Sequence, residues 1–149
     1  MIRYILIATV ALLMSSQIHA KTCELSIDST DQMSFSTKEL SVAADCTEVK
    51  LTLHHTGKMA KNVMGHNWVL SKTADYQAVA QDGMKAGLAN EYLPTGDARI
   101  IAHTKLLGGG ESDSVTFSLK ALEAGGNYTF FCSFPGHWSV MHGKFMIGG

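Results

Sequence analysis

The sequence predicts an all-β chain, an antiparallel Greek-key sandwich or barrel of about eight short strands with one short helical insertion. Three observations lead there. Val49, Leu51 and Leu53 alternate with Lys50, Thr52 and His54, and Val115, Phe117 and Leu119 alternate with Thr116, Ser118 and Lys120, the period of strands that bury one face. Turn residues punctuate the runs at Ser29-Thr30-Asp31, Gly108-Gly109-Gly110 and Gly125-Gly126, where the chain must reverse. Only the stretch 75–85 repeats apolar residues at helical spacing, through Tyr76, Val79 and Ala80. Short strands separated by turns bury their apolar faces as two packed layers.

Taken in order, the chain opens on a leader. Arg3 gives a positive start, residues 5–14 are an apolar run too short to span a bilayer, and Ile18-His19-Ala20 ends in a small residue. That is the pattern of a secretory signal peptide over residues 1–20, cut after Ala20. The 129 residues left, 21–149, are expected to form one domain. No second apolar span follows, so the mature chain is expected to be free of the membrane.

Cys23, Leu25 and Ile27 alternate with Thr22, Glu24 and Ser26 and predict the first strand. Residues 33–36 and 40–43 predict two short strands or one interrupted strand, and Val49 to Leu53 the clearest one. After Gly57 the chain reads as irregular through Gly65, then as an apolar strand over 67–71 carrying Trp68, which is expected in the core. The helix follows, with Thr73 or Asp75 as cap and Gly87 just past its end. Residues 88–96, with Pro94 and Gly96, read as loop, and 100–103 as a brief strand. The triple glycine lacks the Lys and following helix of a phosphate loop and is a turn. Strands at 115–119, 128–132 and 143–147 complete the set.

With Arg3 removed, eleven basic residues face thirteen acidic ones, dispersed along the chain. Nothing in that balance favours nucleic acid. Three cysteines, 23, 46 and 132, are an odd number for an exported protein. Cys23 and Cys46 are the natural pair, closing a loop worth roughly 3 kcal/mol in the chain-entropy model. Cys132 is then a free thiol in an oxidising compartment, either a buried small hydrophobe or a metal ligand protected by its metal.

The stretch Cys132-Ser133-Phe134-Pro135-Gly136-His137-Trp138-Ser139-Val140-Met141 favours the ligand. A thiol, an imidazole and a thioether within ten residues suit a soft metal such as copper. A trigonal site needs one more imidazole, from His54, His55, His66, His103 or His142. His66 stands out among these because Gly65 precedes it at the mouth of an apolar strand, where backbone can approach a metal closely.

Met64-Gly65-His66-Asn67-Trp68-Val69-Leu70, Ile101-Ala102-His103-Thr104-Lys105-Leu106, Asp113-Ser114-Val115-Thr116-Phe117 and Phe130-Phe131-Cys132-Ser133-Phe134-Pro135-Gly136-His137 together resemble the azurins, bacterial periplasmic blue copper proteins of the cupredoxin family. The likeness spans the whole mature chain. It implies a cupredoxin-like domain in the periplasm, with one type 1 copper held by His66, Cys132 and His137. It also implies Met141 as a weak axial ligand, the carbonyl of Gly65 as a distant contact, and Asn67 as a brace between the two copper-bearing loops. An apolar docking patch around the edge of His137 would comprise Met33, Met59, Met64, Phe134, Pro135 and Val140, with Trp138 where azurins more often have a small residue. His55 occupies a position that in azurins is commonly a partly buried histidine near the site. His54, His103 and His142 are expected on the surface.

The function this implies is a one-electron carrier, a monomer cycling Cu(I) and Cu(II) between a c-type cytochrome and a terminal periplasmic oxidoreductase. Thiolate and thioether favour Cu(I) and imidazoles serve both states, so the site reorganises little on transfer. A copper chaperone or storage module is the alternative, and would release its metal readily. An enzyme is not expected: a Cys-His hydrolase would need an orienting acid and an oxyanion hole, and a copper oxidase would need additional histidine-rich sites.

Overall fold

The structure, a computed structural model, describes residues 20–148. The expected signal peptide lies outside the described residues apart from its last position, Ala20. Nine strands are described: β1 (Thr22–Thr30), β2 (Ser34–Phe35), β3 (Glu39–Val42), β4 (Glu48–His55), β5 (Val69–Lys72), β6 (Ile100–His103), β7 (Ser112–Ser118), β8 (Tyr128–Phe131) and β9 (His142–Ile147). They form a four-stranded sheet, β2-β1-β4-β7, and a five-stranded sheet, β3-β9-β8-β5-β6, which pack as a β-sandwich.

Two pairings depart from the antiparallel expectation. β1 runs parallel to β4 from Thr22↔Glu48 to Ser29↔His55, and β3 runs parallel to β9. The cause is the order of the chain, which leaves the first sheet at β3 and re-enters it at β4, so that β4 lies beside β1 after a crossover. The ladder to β4, and the pairing of Thr30 with Ser34 on β2, also carry β1 through Ser29 and Thr30, where the sequence suggested a turn.

Helical structure is slightly richer than expected. A single turn, α1 (Lys61–Met64), lies inside the stretch read as irregular. The insertion α2 (Tyr76–Ala86) has Asp75 at its N-cap position without a side-chain cap bond, while the Thr73 hydroxyl pairs with Thr129 Oγ1 at 2.9 Å instead. Gly87 ends α2 at φ 74°, a left-handed conformation that glycine adopts without steric cost.

The inward residues of both sheets, among them Val49, Leu51, Leu53, Phe117, Phe130 and Phe145, form the main core around Trp68, which is fully buried. A second cluster lies on the outer face of the larger sheet, where Val79, Ala80 and Leu93 cover Val69 and Phe131. α2 thus explains why all four residues of β8 are buried: this strand has core on both sides and loses the alternation of a half-exposed one.

Register brings five strand ends to one pole. Ser29 lies beside His55 at the ends of β1 and β4, and Phe131, the end of β8, pairs with both Val69 and His142, the starts of β5 and β9. The Cys23–Cys46 disulfide, with a Cα–Cα distance of 5.9 Å, closes the opposite end of β1.

Candidate metal centre

Two chain segments meet at that pole. The first carries His66, held in an isolated bridge to Leu107 by His66 N–H to Leu107 O at 3.0 Å and Leu107 N–H to His66 O at 2.8 Å. The second is the loop from β8 to β9, which carries Cys132 and His137 through the 3₁₀ turn His137–Ser139. Gly136 enters that turn in the left-handed region at φ 82°. Met141 N–H bonds His137 O at 2.7 Å and Cys132 N–H bonds Met141 O at 3.0 Å, so the loop closes upon itself.

The side chains converge. Cys132 Sγ lies 3.7 Å from Nδ1 of His66 and 3.7 Å from Nδ1 of His137, and the two Nδ1 atoms are 3.2 Å apart. All three residues are buried, and they are the one group of three or more potential His, Cys, Asp or Glu ligands found among the described residues. Cys132 Sγ is also 3.9 Å from the carbonyl oxygen of Gly65. Met141 is fully buried beside them.

Donor chemistry fits a soft cation. His66 Nε2–H donates to Thr30 O at 2.9 Å, which leaves Nδ1 as the free lone pair. Burial, followed by the charge of His137, lowers the His66 pKa to about 4, and burial lowers that of His137 to about 4. Both imidazoles are therefore neutral near pH 7. Burial pushes the Cys132 thiol up to about 12, although the backbone amides of Asn67 and Phe134 act in the opposite direction. A thiolate would persist here only with a cation to balance it.

Asn67 braces the two segments. Its Oδ1 accepts Ser133 N–H at 2.8 Å, and its Nδ2–H₂ reaches Ser133 Oγ at 2.8 Å and Glu91 O at 3.3 Å. Ser133 and Glu91 were not singled out in the sequence. Ser133 had adjacency to Cys132 as its only signal, and Glu91 joins through a backbone carbonyl in a left-handed conformation, φ 55°. Gly65 has room for no side chain, since a Cβ would lie 2.4 Å from Lys61 O.

Residues 21–148 match the family described as "Copper binding proteins, plastocyanin/azurin family". The chain belongs to that family. Its members include an azurin of Bordetella pertussis, 57% identical over 133 residues covering 89% of each chain. An Azurin-2 of Alcaligenes xylosoxydans xylosoxydans is 56% identical over 126 residues, 85% of this chain and 98% of that one. Among solved structures, an azurin (Az-iso2) of the obligate methylotroph Methylomonas sp. strain J superposes with a TM-score of 0.81 at 46% identity, covering 84% of this chain and 97% of that one. The cofactor of the His66, Cys132 and His137 site is copper.

Around the centre, His55 is buried with its ring centroid 4.6 Å from that of His66. Its Nε2 lies 3.3 Å from Asp31 Oδ1, without hydrogen-bond geometry. Phe134 lies against His137 with centroids 4.5 Å apart. Met33, Met59 and Val140 are 42%, 43% and 49% exposed, and Val63, absent from the sequence-derived patch, is 56% exposed. Met64, Phe134 and Pro135 are half-buried. Trp138 packs partly buried against the cluster under α2. His142 does not stand free in solvent: it is half-buried and stacks on Tyr76, centroids 5.6 Å apart.

Proposed function

We propose that the protein is a periplasmic one-electron carrier in which His66 Nδ1, Cys132 Sγ and His137 Nδ1 would hold the copper. Met141 and the Gly65 carbonyl would add weaker contacts to the metal held there. The observation that carries this reading is the preformed triad, three buried donor atoms 3.2 to 3.7 Å apart. Bound copper supplies reversible one-electron chemistry between Cu(I) and Cu(II).

The residues around the site keep the ligands in one place for both states. Thr30 O fixes the tautomer and tilt of His66, and Asn67 ties the backbone beside His66 to the backbone after Cys132. Full burial of Cys132, His66 and Met141 keeps water out, which limits reorganisation when the electron moves. His137 is 3% exposed and offers the shortest way to the surface.

Met33, Met59, Met64, Phe134, Pro135 and Val140 form the docking patch, with Trp138 at its margin and Val63 added to it. Apolar, weakly charged surface suits brief contacts with a c-type cytochrome donor and an oxidoreductase acceptor. Residues 1–20 act as a signal peptide, and 21–149 fold as one monomeric copper domain without enzymatic activity. Among the described residues no helix is long and apolar enough to cross a membrane.

The test is optical. Protein loaded with Cu(II) is expected to turn intensely blue through its thiolate, and Cys132→Ser to abolish the colour. A colourless Cu(II) complex, or rapid loss of metal to a weak chelator, would replace this reading with the copper chaperone or storage module.

A further inference from the structure

Two residues at the copper loop, Trp138 within it and His142 at the start of β9, depart from the pattern of the family this chain resembles; the electron-carrier reading gives His142 no task and Trp138 only a place at the margin of the docking patch. Both lie on the side of the loop that faces α2. Trp138 packs against the cluster formed by Val69, Val79, Ala80, Leu93 and Phe131. His142 stacks on Tyr76 at 5.6 Å with the rings 29° apart.

Tyr76, the first residue of α2, also lies against Phe131, with centroids 5.7 Å apart. Phe131 immediately precedes Cys132, and His142 immediately follows Met141. These two flanking residues face each other in register across β8 and β9. One half-buried ring therefore touches both roots of the loop that carries three of the proposed ligands, while Trp138, next to His137, packs at mid-loop against the cluster that the same helix helps to form.

The helix is anchored independently of the loop. Arg99 Nη2 bonds Asp82 Oδ2 at 2.9 Å, and Arg99 Nε bonds Asp97 Oδ1 at 2.9 Å. Gly83 is pressed against the Tyr92 carbonyl so closely that a Cβ would lie 2.1 Å from it. A platform fixed from behind can hold the roots of a loop; a mobile one could only follow it.

We infer that Tyr76 is a positioning residue of the copper centre, a clamp on Phe131 and His142 that sets the spacing of Cys132 and Met141. This rests on the copper-carrier reading above. The contacts are made by the aromatic ring, stacked on His142 and tilted by 54° against Phe131, so phenylalanine should replace tyrosine and an aliphatic residue should not. Outer residues that orient metal ligands typically change metal affinity by about 10- to 100-fold when lost, and a clamp acting through two rings belongs at the lower end.

The experiment compares wild type, Tyr76→Phe, Tyr76→Leu, Tyr76→Ala and, as a control for simple loss of packing far from the loop, Leu25→Ala. Copper-loaded proteins are followed by release of Cu(I) to a chelator, by the Cu(II) hyperfine coupling in electron paramagnetic resonance and by midpoint potential. Metal-free proteins are followed by amide exchange over residues 133–140. Tyr76→Phe is expected to match wild type. Tyr76→Leu and Tyr76→Ala are expected to release copper about tenfold faster, to shift hyperfine coupling and potential, and to speed amide exchange in the loop. Leu25→Ala is expected to lower the melting temperature alone. If Tyr76→Leu and Tyr76→Ala behave like Leu25→Ala, Tyr76 is ordinary core and the inference is overturned; it is equally overturned if Tyr76→Phe behaves like Tyr76→Ala. A wild type that takes up copper without turning blue would defeat the carrier reading, and the metal-free exchange measurement would still decide the clamp.

Discussion

Asn67→Ala is the substitution whose cost the geometry fixes most directly. The side chain is fully buried and makes three hydrogen bonds, to Ser133 N–H, Ser133 Oγ and Glu91 O. Each neutral bond contributes about 1 kcal/mol net, and a buried group left without a partner costs about 1–3 kcal/mol. Alanine would leave Ser133 N–H unpartnered. Glu91 O would keep only the Ser133 hydroxyl, 3.4 Å away. The bonds at 2.8 Å are the strong ones and that at 3.3 Å the weak one, so the sum is about 3 kcal/mol. For a domain this size that is about 6–12 °C in melting temperature. Urea unfolding of the metal-free protein measures it as a lower midpoint with unchanged slope. Asn67→Asp should recover part of the loss, because it retains the acceptor for Ser133 N–H. A loss below about 1 kcal/mol for alanine would mean that water or a shifted loop satisfies these groups, and that the two ligand segments are not held together by Asn67.

Two further outcomes follow from the same structure. In the metal-free protein the pKa values of His66 and His137 are lowered to about 4 from 6.5, so the unfolded chain binds more protons than the native one between those values. Stability from these groups is complete above about pH 6.5 and is lost as pH falls through about 4; unfolding free energies from urea titrations at pH 7, 5.5 and 4.5 should decline by about 5 kcal/mol in total. Midpoints independent of pH over that window would refute the buried neutral pair. Replacing Cys23 and Cys46 by alanine should cost about 3 kcal/mol while leaving the blue absorption unchanged, because the disulfide closes the end of β1 remote from the centre; a changed absorption band would contradict that separation.

Much of this molecule was legible in one dimension. Period-two alternation gave β1, β4 and β7 because each has one solvated and one buried face. The odd cysteine, and the spacing from Cys132 to His137 to Met141, announced soft-metal chemistry because three such donors share one short loop. The choice among histidines was not a matter of periodicity: on pattern alone His66 competed with four others, and resemblance to a family preferred it. His142 shows the limit clearly, since an imidazole after a ligand reads as solvated until a helix from another part of the chain places Tyr76 beneath it.

The sequence by itself determined the sandwich, the disulfide pair and the loop with its thiol, imidazole and thioether, since these depend on alternation, parity and spacing along the chain. Resemblance to the family already pointed to His66 as the partner of Cys132 and to Asn67 as the brace; tertiary structure alone decided that Thr30 O orients His66 and that Ser133 and Glu91 are the groups Asn67 holds. It also decided that α2 underlies Trp138 and His142. The physical reason is that such contacts join residues tens of positions apart, brought together by the register of two sheets and the crossovers between them, and no local pattern encodes their meeting.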